Sequence, residues 1–181
     1  DVPNIYHVPL MLEEQGLCDI MNLDCQATDL LNNWKIMAHH LDTLTDEVQI
    51  AMVGKYTDLS DAYLSVIKSL QHAAMAVDHK LTINWIEASH LESDWENGSE
   101  SEKAWALLKQ SSGVLVPGGF GDRGVEGKIL AAEYARTSST PYLGICLGLQ
   151  VETIEFCRNV LGFEDLNSTE LDENCKNQAV V

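Results

Sequence analysis

The pattern of hydrophobic and polar positions divides the chain near residue 46. Before that point, two apolar patches with helical spacing, 10–17 and 30–44, flank a polar stretch at 22–28. From Glu47 onward, short apolar runs alternate with longer amphipathic segments, a pattern that predicts βαβ units over a parallel sheet. We therefore expect residues 1–45 to form a tail and a linker, and residues 46–181 to form an α/β domain.

The second part of the chain contains four predicted strands and four predicted helices. The strands cover 48–53, 81–86, 113–116 and 142–145, and the helices cover 59–77, 104–109, 126–136 and 148–161. Asp58 or Ser60 can cap the first of these helices. The acidic stretch 92–102 is expected to be a surface loop, and Val180 and Val181 resemble the start of a further strand. The predicted fold class is α/β with a doubly wound, mostly parallel sheet.

Composition and charge narrow the range of partners. Eleven basic and 28 acidic residues give a formal net charge of −17, which repels nucleic-acid phosphates and anionic lipid headgroups within about 8 Å. Neither nucleic acid nor a membrane is therefore expected as a partner. No apolar run reaches the ~20 residues of a membrane span, and five cysteines without a C-x-x-C pair fit reduced thiols rather than disulfides or a thiolate metal site. We expect a cytoplasmic protein without a bound metal.

The sharpest chemical signal is PYLGICLGLQ at residues 141–150, which has the G-x-C-x-G form of a nucleophile elbow between a strand and a helix. Gly144 and Gly148 allow a turn tight enough to expose the sulfur of Cys146. The N-terminus of the following helix carries partial positive charge, which stabilises the thiolate that a cysteine nucleophile needs. A buried free cysteine is the alternative interpretation, and it is the one we accept for the other four: Cys18, Cys25, Cys157 and Cys175.

A second signal is the glycine-rich segment VPGGFGDRGVEG at residues 116–127. It matches the dinucleotide fingerprint G-x-G-x-x-G, but it follows the third strand, and no acidic residue lies about 20 positions later to bind a ribose. Its backbone N–H groups could instead bind a developing oxyanion. Both glycine-containing loops follow consecutive strands and could share the carboxyl edge of the sheet. None of the histidines is placed to act as the base of this site: His7, His39, His40, His72, His79 and His90.

These segments, together with GKYTDLSDAY at 54–63 and NSTE at 167–170, resemble the CTP synthase family. The similar region runs from the end of the synthetase domain into the first half of the class I glutaminase domain. The resemblance implies a flavodoxin-like class I glutamine amidotransferase fold that is truncated at its C-terminal side. Residues 1–45 then correspond to the synthetase tail and interdomain linker, and residues 46–181 to an incomplete glutaminase domain.

The resemblance also implies an activity. Glutamine is hydrolysed through a cysteine thioester, and the released ammonia aminates UTP to CTP with ATP and magnesium, under activation by GTP, in a homotetramer. Cys146 matches the nucleophile, and the N–H groups of Gly119 and Leu147 match the oxyanion hole. The positions that match the glutamine pocket are Gly119, Leu147, Gly148, Leu149, Gln150 and Glu170. The positions that match the GTP loop are Arg123, Gly124, Glu126 and Gly127.

The family's catalytic histidine and glutamate, and most of its UTP and ATP sites, have no counterpart in this sequence. We therefore expect an internal piece of a longer enzyme, which binds no cofactor itself and is inactive alone. The alternatives are a non-catalytic binding module derived from the glutaminase domain, an unrelated cysteine hydrolase of the same superfamily, and a doubly wound domain without chemistry. The last requires both glycine loops to be accidental, and the third leaves GKYTDLSDAY unexplained.

Overall fold

The computed structural model describes residues 5–14, 20, 28–55, 60–92, 98–172, 175 and 177–180. The chain divides into two compact units. The first comprises Asp1–Glu47 and Ala73–Lys80, and the second comprises Val48–His72 and Leu81–Val181. None of the helices in the described part of the chain is long and apolar enough to cross a membrane.

The first unit contains the two helices predicted before residue 46. A 3-10 turn, Ile5–His7, leads into α1 (Val8–Glu14), and α2 spans Thr28–Thr43. Tyr6, Ala38 and Met75 are buried together, because apolar side chains of α2 recur on one helical face. His39 and His40 lie in α2. Residues 15–17 of the first predicted helix fall outside the described residues.

The second unit is built on a four-stranded sheet with the strand order β2-β1-β3-β4. These strands are β1 (Glu47–Gly54), β2 (Lys80–Glu87), β3 (Gly113–Val116) and β4 (Tyr142–Gly144). β1 pairs with β3 and β3 with β4, both in parallel. Residues of β3 are at most 2% exposed where they face the core, as expected for a parallel strand covered on both faces. The predicted α/β fold with a parallel sheet is confirmed.

Four helices accompany this sheet. They are α3 (Leu64–Ala76), preceded by the 3-10 turn Ser60–Tyr63, α4 (Gly98–Gln110), α5 (Val125–Ser138) and α6 (Leu147–Asn159). The prediction of a loop across 92–102 was wrong for its last five residues, since α4 begins at Gly98. Acidic residues such as Glu100 are favoured in the first turn of a helix, so their abundance did not indicate a loop. Asp58, a suggested cap of α3, lies outside the described residues.

A second, two-stranded parallel sheet pairs β5 (Leu166–Ser168) with β6 (Asn177–Val180). The sequence indicated β6 through Val180 but gave no sign of β5. β5 has only three residues, two of them polar, and its partner is about ten residues away in the chain, so no local pattern marks it. β5 leads directly into the residues that match the glutamine pocket.

Candidate active site

Cys146 occupies the turn between β4 and α6. Its backbone has φ 53° and ψ −106°, a conformation that residues with a side chain rarely adopt and that costs roughly 1–3 kcal/mol. The side chain is exposed and the thiol is free. A strained backbone that presents an accessible sulfur is the geometry that a nucleophile elbow requires.

Two glycines enforce this turn. A Cβ on Gly148 would overlap with the carbonyl oxygen of Val116, and a Cβ on Gly144 would lie 2.6 Å from the nitrogen of Leu149. Both overlaps involve backbone atoms, which cannot move aside as a side chain can. The G-x-C-x-G pattern is therefore a steric requirement of placing α6 directly on the end of β3.

Hydrogen bonds hold the elbow against the sheet. Ile145 N–H donates to Val116 O at 3.0 Å, and Gly148 N–H donates to Ile145 O at 3.0 Å. The Tyr142 hydroxyl donates to Gly148 O at 2.9 Å. Burial, with a smaller contribution from Glu152, raises the pKa of Tyr142. Its hydroxyl therefore remains a donor throughout the physiological pH range and fixes the first turn of α6.

The glycine-rich loop after β3 lies beside the elbow. A Cβ on Gly118 would be 3.4 Å from Cys146 Cβ and 4.0 Å from Cys146 Sγ, whereas one on Gly119 would meet open space. Within the described residues, the N–H groups of Gly119 and Leu147 form no backbone hydrogen bond. The structure thus places Gly118 against Cys146, with Gly119 next along the loop and Leu147 next to the cysteine in the chain.

Gln150, in the first turn of α6, and Glu170, two residues after β5, form a polar pair. Gln150 Nε2 donates to Glu170 Oε2 at 3.0 Å, and Glu170 N–H donates to Ser168 Oγ at 3.3 Å. Gln150 Oε1 is buried and has no hydrogen-bond partner among the residues described. A buried acceptor without a donor is costly, and a ligand with N–H groups could satisfy it. Leu149, next to Gln150, is 57% exposed.

The histidines of the second unit are engaged elsewhere. His72 lies on α3, and His90 Nε2 is 3.4 Å from Glu100 Oε2. The described part of this unit contains no hydrogen bond between a histidine and the sulfur of Cys146. It also contains no group of three or more His, Cys, Asp or Glu side chains arranged to hold a metal ion.

A protein-family model matches the part of the chain that contains these residues. The model of the family "Glutamine amidotransferase class-I" matches residues 58–180, which include the glycine-rich loop, the elbow and the polar pair. This chain belongs to the class I glutamine amidotransferase family.

Within this amidotransferase family, the chain is similar to CTP synthases. The chain is 47% identical over 200 residues to CTP synthase of Dictyostelium discoideum, covering 100% of the chain and 35% of that protein. It is 48% identical over 189 residues to CTP synthase 1 of Homo sapiens, covering 100% of the chain and 32% of that protein. The chain therefore spans about a third of the length of these curated relatives.

A solved structure shows the same fold. The structure described as Trypanosoma brucei CTPS, glutaminase domain with bound acivicin, matches with a TM-score of 0.64 and 40% sequence identity. The match covers 72% of this chain and 48% of that chain. The resemblance to CTP synthases that the sequence motifs indicated is confirmed, and so is the glutaminase fold.

In this amidotransferase chain, the four residues for which the sequence resemblance implied a GTP loop lie around the start of α5. Gly124 has φ 76°, and Gly127 packs so closely on Ala88 that a Cβ would overlap with the Ala88 carbonyl oxygen. Gly127 N–H donates to Glu92 Oε1 at 3.2 Å. Close packing of α5 on the 3-10 turn Ala88–Leu91 accounts for the glycine at position 127.

A charged cluster that the sequence did not reveal lies beside this loop. Arg123 Nη2 donates to Glu87 Oε1 at 3.0 Å, and Lys55 Nζ donates to Phe120 O at 2.9 Å. Lys128, on α5, is only 1% exposed. Burial lowers the pKa of Lys128, the nearby Lys55 lowers it further, and Glu87 opposes the shift. A lysine in a helix usually marks its solvated face, so only its position among the apolar residues of α5 could have signalled burial.

Lys128→Met is expected to unfold at higher denaturant concentration than the wild type near neutral pH, because it removes a buried ammonium group without changing the side-chain length much. The folded pKa of Lys128 lies below the ordinary 10.5. The unfolded state therefore binds the proton more tightly, and wild-type stability rises as pH increases toward 10.5. The difference in free energy of unfolding between Lys128→Met and the wild type should therefore shrink over the same pH range. Urea denaturation of both proteins between about pH 8 and pH 10 measures it.

Lys103→Met is the matched control, since Lys103 lies on α4 with an exposed side chain. The difference between this control and the wild type should not depend on pH in the same range. An equal pH dependence in both variants would contradict the assignment of the effect to burial of Lys128.

Proposed function

We propose that this chain is the glutaminase part of a CTP synthase and that Cys146 attacks the side-chain amide of glutamine. The observation that carries the proposal is the exposed, positive-φ Cys146 on a glycine-enforced elbow, which lies against Gly118 of the glycine-rich loop. The similarity to CTP synthases supports the same conclusion. The cysteine, the oxyanion donors and the polar pair each have a role in this chemistry.

The reaction begins with attack of the Cys146 thiolate on the amide carbon of glutamine. Helix α6 is thirteen residues long, and the partial positive charge at its N-terminus stabilises the thiolate. The N–H groups of Gly119 and Leu147 stabilise the oxyanion that forms. The carbon–nitrogen bond then breaks, the nitrogen takes up a proton and leaves as ammonia, and a γ-glutamyl thioester remains on Cys146. Water attacks the thioester, which releases glutamate and restores the thiol.

The polar pair is suited to the amino-acid end of glutamine. The carboxylate of Glu170 and the buried Oε1 of Gln150 both accept hydrogen bonds, and an α-ammonium group carries three donors and a positive charge. Binding of this group would satisfy the unpaired oxygen of Gln150. Gly148 and Leu149, between Cys146 and Gln150, would line the path of the side chain.

The remaining steps are proposed for a longer enzyme. A histidine oriented by a glutamate, as in the CTP synthase family, would take the thiol proton and return it to the leaving nitrogen. UTP, and ATP with magnesium, would bind in a synthetase region, where the ammonia is used. GTP would act through Arg123, Gly124, Glu126 and Gly127, and the enzyme would be a homotetramer. Because the described residues supply no base, the 181-residue chain alone should hydrolyse glutamine very slowly.

Covalent labelling tests the proposed nucleophile and pocket together. The 181-residue chain and the natural protein are treated with the chloroketone analogue of L-glutamine, and mass spectrometry locates the adduct. We expect Cys146 to react faster than Cys157 and Cys175, and faster with the L-enantiomer than with the D-enantiomer. The matched variant Cys146→Ser should lose this labelling, whereas its fold, measured by circular dichroism, should not change. Equal labelling by both enantiomers, or an adduct at another cysteine, would overturn the proposal.

A non-catalytic binding module is the second candidate, and one observation favours it. No histidine of the second unit contacts Cys146 within the part of the chain that the structure describes. Such a module has no need of a reactive thiol or of selectivity for L-glutamine. It therefore predicts no preference for the L-enantiomer at Cys146, even in the natural protein, which is the opposite of the result expected for the glutaminase.

A further inference from the structure

We propose that Arg158 is a positioning residue that couples the first turn of α5 to the polar pair of Gln150 and Glu170. The inference rests on the proposed function, because it assigns regulation to the same glutamine pocket. Arg158 lies in the last turn of α6, far from Cys146 at the start of this helix. Its role would be to transmit a change at α5 to the pocket without touching glutamine.

One end of the guanidinium of Arg158 contacts α5. Its Nη1 donates to Glu126 Oε1 at 3.1 Å and approaches Glu126 Oε2 at 3.4 Å. Glu126 is in the first turn of α5, two residues after the left-handed Gly124. The carboxylate is 62% exposed, whereas Arg158 is 24% exposed. A change in the glycine-rich loop can therefore reach Arg158 through a side chain that is itself open to solvent.

The other end of the same guanidinium holds β5. Arg158 Nε donates to the carbonyl oxygen of Leu166 at 2.7 Å. Two residues later, Ser168 is 1% exposed, and its Oγ accepts the N–H of Glu170. Glu170 in turn accepts the hydrogen bond from Gln150 Nε2. The position of β5 thus fixes the carboxylate that the proposed function assigns to the substrate ammonium group.

The chemistry of arginine explains why one residue can serve both contacts. A guanidinium presents N–H donors in a rigid planar fork, so its Nε and Nη1 can bind acceptors from two different elements at once. If Glu126 is drawn away, Arg158 becomes free to turn, and the contact with Leu166 weakens. Loss of the contact between Glu126 and Arg158 would then lower the affinity of the pocket for glutamine.

Two variants and their combination test the coupling in the 181-residue chain and in the natural protein. They are Glu126→Gln, Arg158→Met and the double variant. Hydrogen exchange of segment 166–171 should be about fivefold faster in each single variant. The concentration of L-glutamine chloroketone that gives half-maximal labelling rate should rise about fivefold, while the maximal rate at Cys146 changes little. The double variant should resemble Arg158→Met, because Glu126 acts only through Arg158.

Glu133→Gln on the same helix is the matched control and should change neither readout. Arg158→Lys should restore only part of the loss, since an ammonium group cannot bridge both acceptors. Unchanged exchange at 166–171 in Glu126→Gln, or additive effects in the double variant, would overturn the coupling. A wild type that labels without preference for the L-enantiomer would overturn the proposed function instead, and the exchange measurement would still decide the role of Arg158.

Discussion

Gly148→Ala is expected to lower the free energy of unfolding by about 3 kcal/mol and to displace Cys146. The new Cβ would overlap with Val116 O and would lie 3.0 Å from the Val116 carbonyl carbon. These atoms belong to the backbone of β3, which pairs with strands on both sides, so no rotamer change relieves the overlap. The start of α6 must move away from the sheet and takes the N–H of Leu147 with it. Urea denaturation measures the loss of stability, and L-glutamine chloroketone labelling measures the loss of alignment at Cys146.

Gly119→Ala provides the comparison, because a Cβ there meets no atom within 4 Å. Its backbone is also outside the left-handed region. We expect its free energy of unfolding to stay within about 0.5 kcal/mol of the wild type. A similar loss in both variants would show that glycine flexibility, rather than the overlap with Val116, decides the stability of the elbow.

The central sheet could be predicted because its strands carry their own signal. β3 was located to the residue, since a short apolar run is bounded by Gly113 and Pro117 and both faces of a parallel strand are buried. The helix after Cys146 was found within two residues at each end. β5 was missed because it owes its existence to pairing with β6 and to the hydrogen bond from Arg158. Neither partner is visible in a local pattern.

In the candidate site, too, some features could be predicted from the sequence and others could not. The sequence signature of the elbow lies within five residues, so G-x-C-x-G was enough to single out Cys146. The charged partners depend on how α5 and α6 pack together. Helical spacing could not show that Glu155 and Arg158 of α6 reach Arg136 and Glu126. Lys128 was missed for the same reason.

Helix α6 connects these features. Its first turn carries the proposed oxyanion donor Leu147 and the proposed pocket residue Gln150, and its last turn carries Arg158. Between them, Glu155 joins α6 to the end of α5. The geometry of the nucleophile therefore depends on how firmly α6 is held along its whole length, and Glu155 is its most buried polar anchor, with 1% exposure.

Glu155→Ala is expected to lower the free energy of unfolding by about 2 kcal/mol, because it removes a buried acceptor of several charge-assisted hydrogen bonds. Arg136 Nε donates to Glu155 Oε2 at 3.0 Å, Arg136 Nη2 donates to Oε1 at 2.6 Å, and Asn159 Nδ2 donates to Oε1 at 3.1 Å. The hydrogen bonds to Glu155 raise the pKa of Arg136. Alanine removes this carboxylate from the α5–α6 interface and leaves the guanidinium of Arg136 without this partner. Guanidinium chloride denaturation at constant protein concentration measures the change.

Glu152→Ala on the same helix is the matched control, since Glu152 is exposed. It measures the effect of replacing a glutamate by alanine in α6 without loss of the Arg136–Glu155 ion pair. Its free energy of unfolding should stay within about 0.5 kcal/mol of the wild type. Glu155→Gln should fall between the two, because the amide oxygen still accepts one hydrogen bond from Arg136 but the charge is lost. If Glu155→Ala were no less stable than Glu152→Ala, the ion pair would not anchor α6, and Cys146 would have to be held by the elbow contacts with β3 alone.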